Sequence, residues 1–166
     1  NPGLLEKRLN AKEKEAGQKT VITISSLMFL VGFIIAGLDF RFQWSTIPQW
    51  VVTIAAGIFL CSYLLFAAVL WQNEYLSRTI EIQENQHVID TGLYGVVRHP
   101  MYTSTLFLFI SMPIVLGSYF SLIIFLIYPA IMIKRINNEE TVLEEGLPGY
   151  LDYKKQVKYR IIPFIW

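Results

Sequence analysis

Charge is scarce in this chain. Only 16% of its 166 residues are Asp, Glu, Lys or Arg, 54% are hydrophobic, and the mean hydropathy is +0.44. That is too little polar surface to coat a soluble globule of this size, so the chain belongs in a bilayer. A net charge of +1 also excludes a basic nucleic-acid binder. Histidine and cysteine are just as rare. His87 and His99 are the two histidines and Cys61 the one cysteine. Without a His-x-x-x-His spacing they make no credible metal site. Cys61 has no partner for an intrachain disulfide and reads as a small apolar packing residue. The chain also lacks Gly-x-Gly-x-x-Gly and Walker sequences, which excludes Rossmann-type and Walker-type nucleotide sites. It has no internal repeat and no low-complexity tract, so residues 1–166 read as a single integral-membrane domain.

What the chain does have is long apolar runs. Val21 to Leu38 meets the length rule for a transmembrane helix and extends to Phe40 if Asp39 sits at the interface. It is too long for an ordinary signal core and no small-residue cleavage site follows it. Trp50 to Trp71 is a second span, closed at both ends by interfacial tryptophan. Two shorter arms follow, Met101 to Leu116 and Tyr119 to Ile133, separated by a turn at Gly117-Ser118 and interrupted by Pro113 and Pro129. Short proline-broken helices are tolerated where neighbouring protein re-satisfies the freed carbonyls. The expected fold is all-α and polytopic, with about four transmembrane helices, the last two a short hairpin. Residues 1–19 form an interfacial segment, 20–71 two transmembrane helices, and 72–166 the region that carries chemistry.

Lys7, Arg8, Lys12, Lys14 and Lys19 precede the first span, whereas the connection to the second carries Arg41 alone. Positive-inside reasoning puts the amino terminus, and with it Arg78, Arg98, Lys134, Arg135 and the carboxyl-terminal cations, in the cytoplasm. The polar stretch Gln72 to Arg98 is too long for a simple connector and reads as a functional loop. Within it Thr79 to Gln83 alternates like a short extended piece, and Glu84-Asn85-Gln86 and Asp90-Thr91-Gly92 signal turns. At the far end, Asn137 to Val157 is helix-permissive and broken at Gly146-Leu147-Pro148-Gly149. Two geometries are open there. Asn137 or Asn138 caps a new helix with Glu139 and Glu140 in its first turn, or one helix runs from the membrane through Arg135 to Glu145. Beyond it Glu144-Glu145 reads as a solvated face, Tyr150, Tyr153 and Tyr159 as headgroup-level residues, and Lys154, Lys155 and Lys158 as a lipid-facing basic patch.

Each hairpin arm has about 16 residues, so the chain rises and falls by about 24 Å and both ends lie on one side of the membrane. Arg98, His99 and Tyr102 then meet Arg135, Glu139 and Glu140. Pro100 suits the first turn of a helix, leaving the amides of Met101 and Tyr102 at a positive dipole end, with the charge of Arg98 beside them. A cluster of both signs is expensive to keep near hydrocarbon unless it holds something polar, and it suits a small ligand carrying both charges.

Arg98-His-Pro-Met-Tyr102, then Arg135 and Glu139-Glu140-x-x-Leu143, then Tyr150-Leu-Asp-Tyr153 and Ile162-Pro163, resembles the isoprenylcysteine carboxyl methyltransferase family. That family sits within a wider group of integral-membrane methyltransferases that includes phospholipid N-methyltransferases. The resemblance implies S-adenosyl-L-methionine as methyl donor, leaving S-adenosyl-L-homocysteine, and a lipophilic or prenylated acceptor arriving from the bilayer. By motif position, cofactor contacts fall on Gln86, His87, Val88 and Ile89, on Tyr94, on His99, Pro100, Met101 and Tyr102, and on Glu139. Arg98 and Glu140 are taken with them, and Arg135 matches the residue assigned to the acceptor carboxylate. Arg135, Glu139 and His99 are thus the catalytic candidates. A carboxylate acceptor needs no general base, whereas an amine does, with His99, His87 or Glu140 available. Competing readings are a phospholipid or amine N-methyltransferase, an NADPH-dependent membrane reductase with a similar hairpin, and a non-enzymatic lipid-binding protein.

Overall fold

The computed structural model describes residues 16–76 and 80–166, with side chains from residue 19 onward. The interfacial reading of residues 1–15, the cations Lys7, Arg8, Lys12, Lys14 and Arg78, and the start of the extended piece at Thr79 lie outside the described residues. The helices are α1 (Ala16–Phe42), α2 (Gln49–Gln72), α3 (Pro100–Val115), α4 (Tyr119–Phe125), α5 (Tyr128–Gly146) and α6 (Tyr150–Gln156). A 3₁₀ turn spans Gly92–Gly95, and among the described residues there is no strand. The fold is all-α, as expected. Among the described residues three segments are long and apolar enough to cross a membrane, Lys19–Phe42, Gln49–Gln72 and Tyr119–Gly146, and they mark an integral membrane protein. The fourth expected span corresponds to α3. With 16 residues, α3 is apolar but short of that length.

The α3–α4 turn is a C-terminal helix cap of the Schellman type. Gly117 takes φ +78°, its N–H donates to Ile114 O at 3.0 Å, and Ser118 N–H donates to Pro113 O at 3.0 Å. The second arm is interrupted as Pro129 predicts: it breaks at Leu126-Ile127 and resumes as α5 through Arg135 to Gly146, whereas Pro113 stays inside α3. Pro129 has no N–H to continue the α4 ladder, which accounts for the break. Once restarted, α5 meets no further breaker until Gly146. It is continuous, so Asn137 and Asn138 are interior residues and not caps.

Helix α2 lies along α3, and α1 along α4 and α5. Ala55, Ser62 and Val69 form the buried stripe of α2 at seven-residue spacing, and Ser104 and Ser111 repeat that spacing on α3. Small residues let the two backbones approach. Their hydroxyls bond within their own helix, Ser62 to Ile58 O and Ser111 to Phe107 O, each at 2.7 Å, so the contact itself is van der Waals. The outer side of α2 faces away from the protein. Cys61 lies there, exposed and not packed as its sequence context suggested. On α1, Gly32 makes room for the fully buried Phe125, whose ring would lie 2.5 Å from a Cβ at that position.

Asp39 is buried at the end of α1 and does not simply sit at an interface. Ser45 donates to it from N–H at 2.7 Å and from Oγ at 2.6 Å, and Ser118 Oγ donates as well. Ser118 in turn caps α4 by accepting from Ser121 N–H at 3.0 Å. One carboxylate therefore ties the α1–α2 connection to the hairpin turn. Asp39→Ala removes the acceptor shared by three donors and is expected to cost about 2–3 kcal/mol. Its thermal midpoint in detergent should fall by several degrees, with Asp39→Asn in between; an unchanged midpoint for Asp39→Ala would mean that this knot does not hold the turn.

Candidate functional site

The site forms where the start of α3, the distal half of α5, α6 and the carboxyl-terminal tail meet. Arg98 and His99 precede α3 as non-helical chain, their N–H groups donating to Tyr159 O at 2.9 Å and Arg160 O at 2.8 Å. The tail thus fixes the backbone leading into Pro100. The Arg98 side chain is buried. Its Nη1 donates to Val157 O and Lys158 O at 2.7 Å each, and its Nε donates to Glu140 Oε1 at 2.8 Å. Glu140 also receives Arg160, from Nη2 at 2.8 Å and Nε at 3.1 Å, and has His99 Nε2 at 3.2 Å and Lys154 Nζ at 3.6 Å. The Glu140 side chain is 3% exposed. Lys154, read from sequence as part of a lipid-facing patch, instead pairs with Glu144 and approaches this carboxylate. Glu144 is correspondingly a partner and not merely solvated face.

Glu139, one position earlier on α5, turns about 100° away. Its side chain is 27% exposed, and Tyr102 donates to its Oε2 at 2.7 Å. Arg135, one helical turn before it, donates from Nε to the Tyr102 hydroxyl oxygen at 2.9 Å. His99 Nδ1 lies 3.8 Å from Glu139 Oε1, so the imidazole stands between the two carboxylates. The continuous α5 is what separates their roles: Glu140 faces the tail, Glu139 faces open space.

That open space is a cleft of about 880 Å³ including its mouth. Of the residues singled out from sequence, Gln86, His87, Val88, Ile89, Tyr94, Arg98, His99, Met101, Tyr102, Arg135 and Glu139 line it. Pro100 and Glu140 do not: Pro100 is buried in the first turn of α3, and Glu140 is enclosed by its cationic partners. The loop carrying residues 86–89 is held from below. Gln72 Nε2 donates to Thr91 O at 2.8 Å and its Oε1 accepts from Leu93 N–H at 3.1 Å. Gly92 suits that point by its φ of +57°, and a Cβ there would displace the end of the Gln72 side chain that makes these bonds. His87 is exposed and has its Nδ1 2.9 Å from the Tyr75 hydroxyl, with the two rings edge to face.

Sequence reasoning missed Asn73, Tyr75, Tyr150 and Tyr153 as cleft residues. Asn73 Nδ2 donates to the Tyr94 hydroxyl at 2.7 Å, and Tyr153 donates to Tyr94 O at 2.7 Å. Tyr150 and Tyr153 are buried with Leu147 and Val157 in a small second core. A signal was available: Leu143, Leu147, Tyr150, Tyr153 and Val157 follow one another at steps of three and four, a buried helical stripe that continues across the Gly149 turn. Burial pushes the Tyr94 hydroxyl up to about 12 despite the opposing bond from Asn73, and burial raises Tyr150 and Tyr153 as well. These hydroxyls act as neutral hydrogen-bonding groups.

Fold and site together define a polytopic helical membrane protein with a two-signed polar cleft at the end of a helical hairpin. The model of the isoprenylcysteine carboxyl methyltransferase (ICMT) family matches residues 50–145, more than half of the chain. The chain belongs to that family. Its fold is similar to the solved structure of the eukaryotic intramembrane Ras methyltransferase ICMT, with a TM-score of 0.68 at 21% identity over 92% of this chain. The chain spans 54% of the length of that protein. No curated protein matches the sequence significantly.

The two adjacent glutamates should separate on substitution. Glu140→Ala leaves Arg98 and Arg160 without their carboxylate and is expected to cost on the order of 3 kcal/mol or prevent accumulation of folded protein. Glu139→Gln keeps an acceptor for Tyr102 and should leave the thermal midpoint nearly unchanged. Equal midpoints for the two variants would contradict this division.

Proposed function

We propose that this protein transfers a methyl group from S-adenosyl-L-methionine to an ionised carboxylate on a lipophilic acceptor of the isoprenylcysteine type. The observation that carries the reading is the convergence of Arg98, His99, Tyr102, Arg135 and Glu139 on one cleft that also exposes apolar and aromatic side chains such as Leu76, Ile80, Val142 and Leu143. Membership of the family supports the reaction class.

The donor set fits an S-adenosyl ligand. Glu139 offers a partly exposed carboxylate for an ammonium group, while Arg98 and the first-turn amides of α3, which have no intrahelical partner, suit a carboxylate. Gln86 to Ile89 supply backbone polar groups and apolar side chains for a purine edge and face. When bound, S-adenosyl-L-methionine supplies an electrophilic sulfonium methyl group. The chain's own task is alignment. Arg135, at the membrane exit of α5 and braced by Tyr102, holds the acceptor carboxylate by charge and orients one of its oxygens. An ionised carboxylate is already a nucleophile, so no side chain has to remove a proton. The loop over residues 80–89 and the tyrosines beneath it exclude competing water. With residues 72–166 as the catalytic region and the cations of α5 and the tail on the inner side, the cleft opens to the cytoplasm and the acceptor enters from the bilayer.

The test is methyl transfer from radiolabelled S-adenosyl-L-methionine to farnesylcysteine and, in parallel, to phosphatidylethanolamine. Label on the prenylcysteine that is released as methanol by mild base supports an ester product. Arg135→Ala should then lose at least about a hundredfold in kcat/KM. Base-stable label on the amine lipid would overturn the carboxylate acceptor, and no transfer to either would overturn the acceptor class.

A further inference from the structure

Most tyrosine hydroxyls around the cleft have partners. Tyr75 meets His87, Tyr94 meets Asn73, Tyr102 meets Glu139 and Arg135, and Tyr153 meets the Tyr94 carbonyl. Tyr150 differs. The residue is 4% exposed, its hydroxyl is buried, and that hydroxyl has no hydrogen-bond partner. An unsatisfied buried hydroxyl costs about 1–3 kcal/mol, and phenylalanine would fill the same space without that cost. Tyr150 also lines the cleft, alongside Arg98, His99 and Glu139. A hydroxyl that the fold buries on a cleft-lining residue and leaves unpaired is suited to a partner that arrives with the ligand.

We infer that Tyr150 is a ligand-binding residue whose hydroxyl donates a hydrogen bond to an acceptor atom at the charged, amino-acid end of the S-adenosyl ligand; this rests on the proposed function. The position selects that end of the ligand. Tyr150 lies in the fields of Glu140, Glu139 and Arg98, the same groups that suit a zwitterion. Burial raises the Tyr150 hydroxyl above the ordinary range, so it is a neutral donor at working pH. A neutral donor can serve a carboxylate oxygen without adding a second charge that Glu139 would have to balance. Glu139 and Tyr150 then grip opposite functions of one amino-acid group, and the ligand completes the hydrogen bonding that the protein alone leaves open.

The inference predicts a trade-off that a purely structural tyrosine would not give. In Tyr150→Phe the ligand-free protein should have a thermal midpoint equal to or above that of the wild type. Its affinity for S-adenosyl-L-homocysteine by calorimetry should fall about tenfold. Affinity for 5′-methylthioadenosine, which lacks the amino-acid end, should be the same in both proteins. Tyr153→Phe is the control, because it breaks the bond to the Tyr94 carbonyl and should lower the ligand-free midpoint. If the wild type binds S-adenosyl-L-homocysteine and Tyr150→Phe binds it equally well, the inference fails while the function stands. A lower ligand-free midpoint in Tyr150→Phe, or an equal loss for 5′-methylthioadenosine, would also overturn it. If the folded wild type binds neither ligand, the functional reading fails and this inference falls with it.

Discussion

The ion pair between Arg98 and Glu140 is the contact on which the rest of the site depends. It joins the start of α3 to α5, and through Arg98 to the carbonyls of Val157 and Lys158 it joins both to the tail. Taking these charges out of water is costly, and a single buried pair would barely recover that cost. Here the carboxylate is met by Arg98, Arg160, Lys154 and His99 together, and Arg98 also donates from Nη1 to two carbonyls. Networks satisfied to this degree specify one arrangement over others. With Glu140 so held, His99 is fixed in orientation, Pro100 starts α3 in a set direction, and Tyr102 is delivered to Glu139 and Arg135.

The same placement separates structure from chemistry within two consecutive residues. Glu140 faces inward and builds the site; Glu139, a third of a turn away, faces the cleft with a partly exposed carboxylate. The proposed function uses that polarity. The cleft combines groups of both signs near the hairpin end with apolar and aromatic side chains, which suits a zwitterionic donor and a lipophilic acceptor meeting at Arg135. Tyr150 extends the same logic to a hydroxyl that has no role in the protein's own packing.

Much of this could be read in the sequence, for identifiable reasons. The apolar runs of α1 and α2 are strong signals because hydrocarbon tolerates little else, and Gly117 before Ser118 marks the hairpin turn by its need for positive φ. The rise-and-fall argument then brings Arg98, His99 and Tyr102 to Arg135 and Glu139, because helix pitch converts residue number directly into distance. Other features depended on tertiary choices that local sequence does not encode. Asn137 and Asn138 suit a cap, and only the uninterrupted α5 decides which glutamate faces the cleft. Asp39 looks like an interfacial charge until Ser45 and Ser118, which lies 79 residues away along the chain, are folded onto it. Tyr150 and Tyr153 look interfacial because tyrosine favours membrane surfaces, and their stripe becomes legible only if it is followed through Gly149. Lys154 was read by composition, whereas its partner Glu144 is set by the turn between α5 and α6. The shortness of α3 has a plain origin too, since it is bounded by Pro100 and by the Gly117 turn.

The most direct measurement is an experimental structure of the bilayer-reconstituted protein in the presence of S-adenosyl-L-homocysteine. The account predicts ligand density within the cleft, its amino-acid end between Glu139 and Arg98 and its base against residues 86–89, with Arg135 facing the sulfur from the membrane side. Density at another place in a folded protein, or a cleft that remains closed to the ligand at saturating concentration, would contradict it.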